Sequence, residues 1–255
     1  DLASLERESA MVVEATSGPQ RHRIDLFTGY CSVGQAAVDL GTSTHVLAYD
    51  NDQAAIDGGR AALEAAGLEK GNSQVTVINA DINLVTLKRL GRDVRKLWSL
   101  GLEDVDSVHV WFPCDTFTSA MLTENKHRQS DSTARAGPDG AMAREADKLL
   151  HHVVELSIRL HRINPSMLIT FENPHNPYND LFLNHVAVRK LRRTLPTVTV
   201  AFDHCANTGP YDVKRYPGGW SRKDTRMVIV AEDGILEHFK PGTCRGKDCP
   251  HIMWS

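Results

Sequence analysis

Residues 22–34 read HRIDLFTGYCSVG, an apolar run typical of a strand that is followed at once by a glycine-spaced turn. Asp25, Gly29 and Gly34 lie where such a turn joins a strand to a helix. Glycine lets the backbone approach a ligand closely, and the first amides of the next helix point toward an anionic group. The stretch is not a phosphate-binding P-loop, because Gln35 stands where that motif requires Lys. It predicts the first strand and ligand-binding turn of an α/β sheet.

The remainder of the chain continues this alternation of strand and helix, which is typical of a mostly parallel sheet with helices on both faces. The predicted strands cover residues 22–28, 44–50, 74–79, 105–112, 166–172, 197–203 and 226–231. The predicted helices cover residues 33–40, 52–66, 84–98, 142–162 and 180–194. We therefore predict a Rossmann-like α/β domain with a seven-stranded sheet. It occupies residues 21–232, after an N-terminal extension (1–20) and before a C-terminal tail (233–255).

Composition and charge limit the classes of function. The 255 residues contain no run of eighteen apolar residues and no signal-peptide pattern, so we expect an intracellular protein without membrane partners. Its compartment would be the nucleus in a eukaryote, or the bacterial or host cytoplasm for a bacterial or phage protein. Five scattered cysteines favour reduced thiols. The formal net charge of −3 means that nucleic-acid binding would depend on local basic clusters, at 126–135, 189–193 and 214–226. Each cluster alone is more simply explained as a solvated surface segment.

Acidic side chains follow the second and third predicted strands. In an open parallel sheet, ligands bind beyond the carboxyl ends of the strands. Asp50 comes about 20 residues after the glycine turn, where an acidic residue usually binds ribose hydroxyls. The alternative role for Asp50 is a helix N-cap, which Asp52 could equally supply. Asp81 ends the third strand, where a carboxylate can accept a hydrogen bond from an exocyclic amine. Together these residues predict an adenosine-bearing cofactor without a long phosphate chain.

The fourth and fifth predicted strands end in FPCDTF (112–117) and FENP (171–174). A lone cysteine in this position is more often a small buried residue than a nucleophile. Glu172 changes that balance, because burial at the end of an apolar strand would raise its pKa and keep it able to donate a proton. Cys114 begins a loop facing helix N-termini, where a thiol pKa can be lowered. A nucleophilic thiol and a proton-donating carboxyl at neighbouring strand ends predict a pair for covalent catalysis.

Five motifs in this chain resemble those of the DNA (cytosine-5) methyltransferases, and most closely those of the short phage-type members. They are DLFTGYCSVGQAA, AYDND, NADI, WFPCDTFTSA and ITFENP, in the same order and at similar spacing. The similarity fades after about residue 230. The resemblance implies the S-adenosylmethionine-dependent methyltransferase fold, with S-adenosyl-L-methionine as cofactor and DNA as substrate.

The resemblance also implies roles for individual residues in cofactor binding. Phe27 would pack on the adenine, Asp50 would hold the ribose hydroxyls, and Asp81 with Ile82 would recognise the adenine. The turn from Gly29 to Gly34 would approach the methionine part. The complete implied set is Asp25, Phe27, Gly29, Gly34, Asp50, Asn51, Asp81, Ile82 and Pro113.

The chemistry implied by the resemblance is a covalent methyl transfer. Cys114 would attack carbon 6 of cytosine while Glu172 protonates or hydrogen-bonds nitrogen 3, which makes carbon 5 nucleophilic enough to take the methyl group. Arg226 is the first candidate for a contact to the carbonyl oxygen of the cytosine, and Lys223 is the second. The base must be flipped out of a duplex, and residues 113–140 are predicted to form the active-site loop that closes over it.

Three departures from the family pattern leave alternatives open. Cys31 stands where the family usually has glycine, and Asp115 replaces glutamine beside the thiol, where its charge would raise the thiol pKa. The usual target-recognition domain has no counterpart, so other chains or domains would supply target recognition, or specificity is low. RNA such as tRNA is an alternative substrate. A catalytically inactive module that binds cofactor or nucleic acid is the alternative of a different class.

The C-terminal segment TCRGKDCPHIMWS contains Cys244, Cys249 and His251, which could be three ligands of a structural zinc ion. The fourth ligand would come from Cys205, His204 or His238. The spacing is weak, and a turn-rich tail without metal is the preferred interpretation. We predict no metal among the site residues.

Overall fold

The computed structural model describes residues 20–28, 43–65, 74–113, 116–117, 127–174, 180–203, 220–221, 224–236 and 251–252. The strands are β1 (Arg21–Leu26), β2 (Thr44–Asp50), β3 (Gln74–Asn79), β4 (Ser107–Trp111), β5 (Leu168–Pro174), β6 (Thr197–Asp203), β7 (Trp220–Ser221), β8 (Asp224–Val230) and β9 (His251–Ile252). The helices are α1 (Gln53–Ala65), α2 (Leu87–Trp98), α3 (Ala141–Ile163), α4 (Leu181–Asn184), α5 (Val186–Thr194) and α6 (Asp233–Leu236).

Seven of these strands form one sheet in the order β3-β2-β1-β4-β5-β8-β6. The short strands β7 and β9 pair separately with each other. This arrangement confirms the predicted α/β class with a mostly parallel seven-stranded sheet. The chain divides into two compact units, Asp1–Val110 and Trp111–Ser255. No helix within the described ranges is both long enough and apolar enough to cross a membrane.

In the first unit, β1 runs parallel to both β2 and β4, and β2 runs parallel to β3. Ile24, Asp25 and Leu26 are all fully buried because β1 is central. Such a strand is apolar on both faces, and therefore a charged residue within it is unusual. Helix α2 begins where the Thr86 hydroxyl caps the Arg89 amide, and it ends at Ser99 in a left-handed conformation.

In the second unit, β8 lies between β5 and β6 and is antiparallel to both. This explains why the strand–helix alternation in the sequence ends after the sixth strand, since antiparallel neighbours need no crossover helix. The 23-residue helix α3 buries an apolar stripe that includes Leu150, Val153 and Leu160. The register places Glu172 opposite Met227, and Asn173 opposite Arg226.

Two predicted helices differ from the observed ones. The helix predicted at 84–98 begins only at Leu87, because the Asp81 side chain caps a short 3₁₀ turn at Ile82–Leu84. The helix predicted at 180–194 is two helices, α4 and α5, because His185 has an extended backbone with φ −63° and ψ 139°. The helix predicted at 33–40 lies outside the described residues.

Candidate active site

The predicted site residues divide between the two units. Those described in the first unit are Asp25, Phe27, Asp50, Asn51, Asp81 and Ile82. Those described in the second unit are Pro113, Glu172 and Arg226. Gly29, Gly34, Cys114 and Lys223 lie outside the described residues, as do Cys31 and Asp115.

The carboxyl ends of β1, β2 and β3 bring three of the predicted cofactor residues to one edge of the first unit. The Phe27 N–H donates to the carbonyl of Tyr49 (2.9 Å), and the Ala80 N–H donates to the carbonyl of Asp50 (2.7 Å). Phe27 therefore follows β1, Asp50 ends β2 and Asp81 follows β3, and backbone hydrogen bonds hold these neighbouring strands together. Phe27 has φ 61°, a left-handed conformation that is rare for a bulky side chain.

Asp25 is a buried acid with an altered proton affinity. Its side chain is 0% exposed, its Oδ2 accepts a hydrogen bond from the Thr28 hydroxyl (2.9 Å), and its Oδ1 has no hydrogen-bond partner. Burial raises the pKa of Asp25 to about 8, the Thr28 hydrogen bond opposes this shift, and the nearby charge of Asp50 adds to it. Asp25 is therefore mainly protonated at pH 7, and it stabilises the turn after β1.

The helix cap that follows β2 is made by Asp52. Its Oδ1 accepts from the amides of Ala54 (2.9 Å) and Ala55 (3.2 Å) at the start of α1. Asp50 is mostly buried, and its Oδ1 accepts from the Asp52 amide (2.9 Å). Because Asp52 supplies the cap, the capping explanation for Asp50 is wrong, and a ligand-binding role for Asp50 remains a prediction. Asn51, beside it, is exposed.

Asp81 is exposed at the end of β3 and is ordered by local contacts. Its Oδ1 accepts from the backbone amide of Asn83 (2.9 Å) and from the Asn83 side-chain amide (3.1 Å). The next residue, Ile82, is buried. A carboxylate fixed in this way presents its remaining lone pairs in a defined direction, as recognition of an amine requires.

On the second unit, the acidic candidate lies in an apolar strand. Glu172 is 4% exposed in β5, between the buried residues Phe171 and Asn173. The side-chain nitrogen of Asn173 lies 3.5 Å from the carbonyl oxygen of Phe112, and Asn173 Oδ1 is a buried acceptor without a hydrogen-bond partner. The strand that carries Glu172 is thus in contact with the segment that leads to Cys114. Pro113, which lies between Phe112 and Cys114 in sequence, is exposed.

Arg226 is close to Glu172 along the sheet, but the two side chains lie on opposite faces of the sheet. Directly opposed residues of antiparallel strands share a face, and successive residues alternate between faces. Arg226 opposes Asn173, so it shares the face of Asn173 and not that of Glu172. Its Nε also lies 3.6 Å from Asp180 Oδ2, within an ion pair.

The basic clusters differ in how accessible they are. Arg189, Arg192 and Arg193 are exposed on α5, and Lys190 is paired with Glu155. In the cluster at 126–135, Arg128 is fully buried, so the prediction of a solvated surface segment is wrong for this residue, and its side chain is not available to a nucleic acid. A charged residue in a polar stretch predicts exposure, and no sequence signal indicated this burial. Most of the cluster at 214–226 lies outside the described residues.

The zinc hypothesis depends on residues that are mostly not described. Cys244 and Cys249 lie outside the described ranges, and His251 is part of β9. Within the described part of the chain, no group of three or more His, Cys, Asp or Glu side chains is arranged to hold a metal ion.

No family model and no curated protein matches the sequence. Similar solved structures include the S. pombe Dnmt2 methyltransferase, at 14% identity and TM-score 0.45 over 84% of this chain and 50% of that one. The METTL16 MTase domain has 9% identity and TM-score 0.48, over 90% and 66% of the two chains. An antibiotic-related methyltransferase has 13% identity and TM-score 0.42, over 88% and 92%.

This chain spans about half the length of the Dnmt2 chain that it matches. Likenesses of this degree do not distinguish one activity from another. The strand order, with β8 antiparallel between β5 and β6, is itself the arrangement expected of the Rossmann-like methyltransferase fold.

Proposed function

We propose that this protein transfers a methyl group from S-adenosyl-L-methionine to carbon 5 of cytosine in DNA. The observation that carries the proposal is the buried Glu172 on a strand whose next residue, Asn173, contacts the carbonyl of Phe112. Phe112 is two residues before Cys114. A buried acid on a strand that contacts Phe112 supports, on this proposal, a pairing of Glu172 with Cys114 for covalent activation of a pyrimidine.

The chemistry explains why both residues are needed. Carbon 5 of cytosine is a weak nucleophile until a nucleophile adds to carbon 6. The Cys114 thiolate would form that bond while Glu172 gives a proton to nitrogen 3, which leaves an enamine. Carbon 5 would then take the methyl group, with S-adenosylhomocysteine as the leaving group. A base would remove the proton from carbon 5, nitrogen 3 would return its proton to Glu172, and the thiolate would leave as the ring double bond re-forms. S-adenosylmethionine supplies the methyl group as an electrophile.

The edge of the first unit suits an adenosine-bearing cofactor. Asp50 and Asp81 follow neighbouring strands and offer carboxylates for hydroxyl and amine donors, and Phe27 offers a ring for stacking. Asp52 makes the α1 cap, so Asp50 is not needed there. These features support S-adenosylmethionine, with Asp25 keeping the turn after β1 in place through Thr28.

The exposed arginines of α5 support a polyanionic substrate. Arg189, Arg192 and Arg193 project from one short helix, where they can contact phosphates without reading sequence. Target recognition would come from other parts of a longer protein or from partner chains.

The decisive test is a covalent trap. A DNA oligonucleotide containing 5-fluorocytosine is incubated with the protein and S-adenosylmethionine, because the fluorine at carbon 5 cannot be eliminated as a proton is. We expect a stable protein–DNA adduct, detected by denaturing gel and mass spectrometry, that is absent in Cys114→Ser. Glu172→Gln should slow adduct formation by about 100-fold, within the range for general acid catalysis. Cys205→Ser is the matched thiol control and should form the adduct at the wild-type rate.

The same trap separates the alternatives. An adduct that survives Cys114→Ser would contradict the mechanism. An adduct with 5-fluorocytosine in RNA but not in DNA would assign the same chemistry to RNA. Binding of S-adenosylmethionine without any adduct would favour an inactive module. In that case, recovery of the adduct in Asp115→Gln would identify the charge beside the thiol as the cause.

A further inference from the structure

Arg128 is an arginine with a side chain that is 0% exposed. Removing a guanidinium from water costs several kcal/mol unless its donors are paired and hydrogen-bonded. The residue lies in a polar segment where an exposed position would have no such cost. Its burial therefore indicates a structural task for this particular side chain.

The guanidinium is hydrogen-bonded most closely to the turn at residues 116–117. Arg128 Nε donates to the carbonyl of Thr116 (3.0 Å), and Nη2 donates to the Thr116 hydroxyl (3.0 Å). Its central carbon lies 3.8 Å from the centre of the Phe117 ring, in a cation–π contact. Further donations reach the carbonyls of Ser132 (2.9 Å) and Ala143 (3.3 Å). One side chain thus joins the turn to the start of α3.

The charge of Arg128 is balanced by Asp147 on α3. Arg128 Nη1 donates to Asp147 Oδ1 (2.6 Å), and His185 Nε2 lies 3.1 Å from the same oxygen. Burial alone would raise the pKa of Asp147, but the hydrogen bonds from His185 and Arg128 lower it below its usual value. His185 Nδ1 accepts from the Ala187 amide (3.2 Å), so its Nε2 carries the proton toward Asp147. The network therefore holds an ionised pair in which Arg128 is buried and Asp147 is partly exposed.

Aromatic contacts also hold Phe112, which precedes Cys114 in sequence. The rings of Phe112 and Phe117 are 5.7 Å apart in an edge-to-face arrangement, and both contact Phe182, at 6.3 Å and 5.7 Å. Phe112 and Phe117 are both buried. Cys114 lies between these two anchored residues in sequence.

We propose that Arg128 is a positioning residue that holds the Thr116–Phe117 turn, and thereby the neighbouring Cys114, in the geometry for attack on the base. The importance of that geometry for catalysis rests on the proposed function of Cys114. A displacement of a catalytic group by about 1 Å can lower the rate about 100-fold. Thr116 is two residues from Cys114 in sequence, so on this proposal the hydrogen bonds from Arg128 to Thr116 affect the rate of attack by the thiolate.

The test uses three variants of the whole chain and two measurements. Arg128→Met removes the charge and all the donors, and Arg128→Lys keeps the charge but loses the planar set of five donors. Thr116→Val removes only the hydroxyl group. Arg144→Met is the matched control, because Arg144 also donates to backbone carbonyls (Arg135 and Gly137) but from an exposed position. Hydrogen–deuterium exchange of the peptide spanning 112–117 reports the turn, and the rate of fluorocytosine adduct formation reports the nucleophile.

We expect exchange to rise about tenfold and adduct formation to fall about 100-fold in Arg128→Met. Arg128→Lys should recover only part of both effects, and Arg144→Met should match the wild type. If Arg128→Met does not fold, Thr116→Val decides, with an expected threefold change in each measurement, roughly that of a lost hydrogen bond. Unchanged exchange in the folded variants would overturn the clamp. If the wild type itself forms no adduct, the proposed function fails, and the exchange result still decides whether Arg128 holds the turn.

Discussion

Replacing Asp25 by asparagine tests the unusual protonation state found in the first unit. The folded protein holds this carboxyl with a pKa of about 8, whereas the ordinary value is 3.8. Between these two values the folded chain keeps a proton that the unfolded chain has lost, so stability falls as the pH rises. The slope is about 1.4 kcal/mol per pH unit, which accumulates to about 4 kcal/mol at pH 7. Full stability from this group is present below pH 3.8, and its loss is complete above pH 8.

An asparagine side chain at this position would be neutral at every pH and would keep the shape of the acid. Its oxygen can accept from the Thr28 hydroxyl, as Asp25 Oδ2 does. We therefore expect Asp25→Asn to be as stable as the wild type near pH 4 and progressively more stable toward pH 8. The measurement is urea unfolding of both proteins at several pH values, and the quantity of interest is the difference in the free energy of unfolding. Taking a difference cancels the titration of all other groups.

The control is Asp57→Asn, which changes an exposed aspartate on α1. Its difference from the wild type should stay within about 0.5 kcal/mol at every pH, as is usual for surface substitutions. A difference for Asp25→Asn that does not depend on pH would refute the reasoning. So would a variant that becomes less stable relative to the wild type as the pH rises, because that is the behaviour of an ionised carboxylate in a favourable environment.

Two further variants test the ligand surfaces, one with a single substitution and one with three. Asp81→Ala should weaken S-adenosylmethionine binding about tenfold to 100-fold in calorimetry, as expected for a lost hydrogen bond to a charged group. Unchanged affinity would exclude Asp81 from the cofactor pocket. Exchanging Arg189, Arg192 and Arg193 together for Gln should reduce the slope of log affinity for DNA against log salt by about 2.7, at about 0.9 per phosphate contact. Arg162 is an exposed arginine of the same unit, and Arg162→Gln serves as the control. If each arginine of α5 changes the slope no more than Arg162 does, α5 is not a specific DNA-binding surface.

The strands were predictable because their physical signal is local. The runs at β2 and β3 match the predicted ranges, and β6 does as well, because β-branched and apolar residues cluster there and polar residues bound them. The break at His185 was not predictable from periodicity. The apolar pattern continues from α4 into α5, and the new helix is shown by the extended backbone of His185 and by the hydrogen bond from the Ala187 amide to His185 Nδ1.

The charges of the site were harder to predict than its positions. Glu172 was expected to be buried because apolar residues surround it in sequence, and the structure confirms this. Arg128 was expected to be exposed because it lies in a polar segment. Its burial was not predictable, because it depends on hydrogen bonds to Asp147 and Thr116, which are distant from it in sequence. The neutral state of Asp25 likewise follows from burial in the central strand, which a turn motif alone does not reveal.

On the proposed function, the left-handed backbone of Phe27 would set the stability of the protein against its activity at this residue. A non-glycine residue held in such a conformation costs on the order of 1–3 kcal/mol. Glycine would relieve this strain but would also remove the ring proposed to stack on the cofactor. A laboratory selection for thermal stability alone would therefore favour glycine at position 27. Selection for methyl transfer would retain phenylalanine and accept a less stable protein.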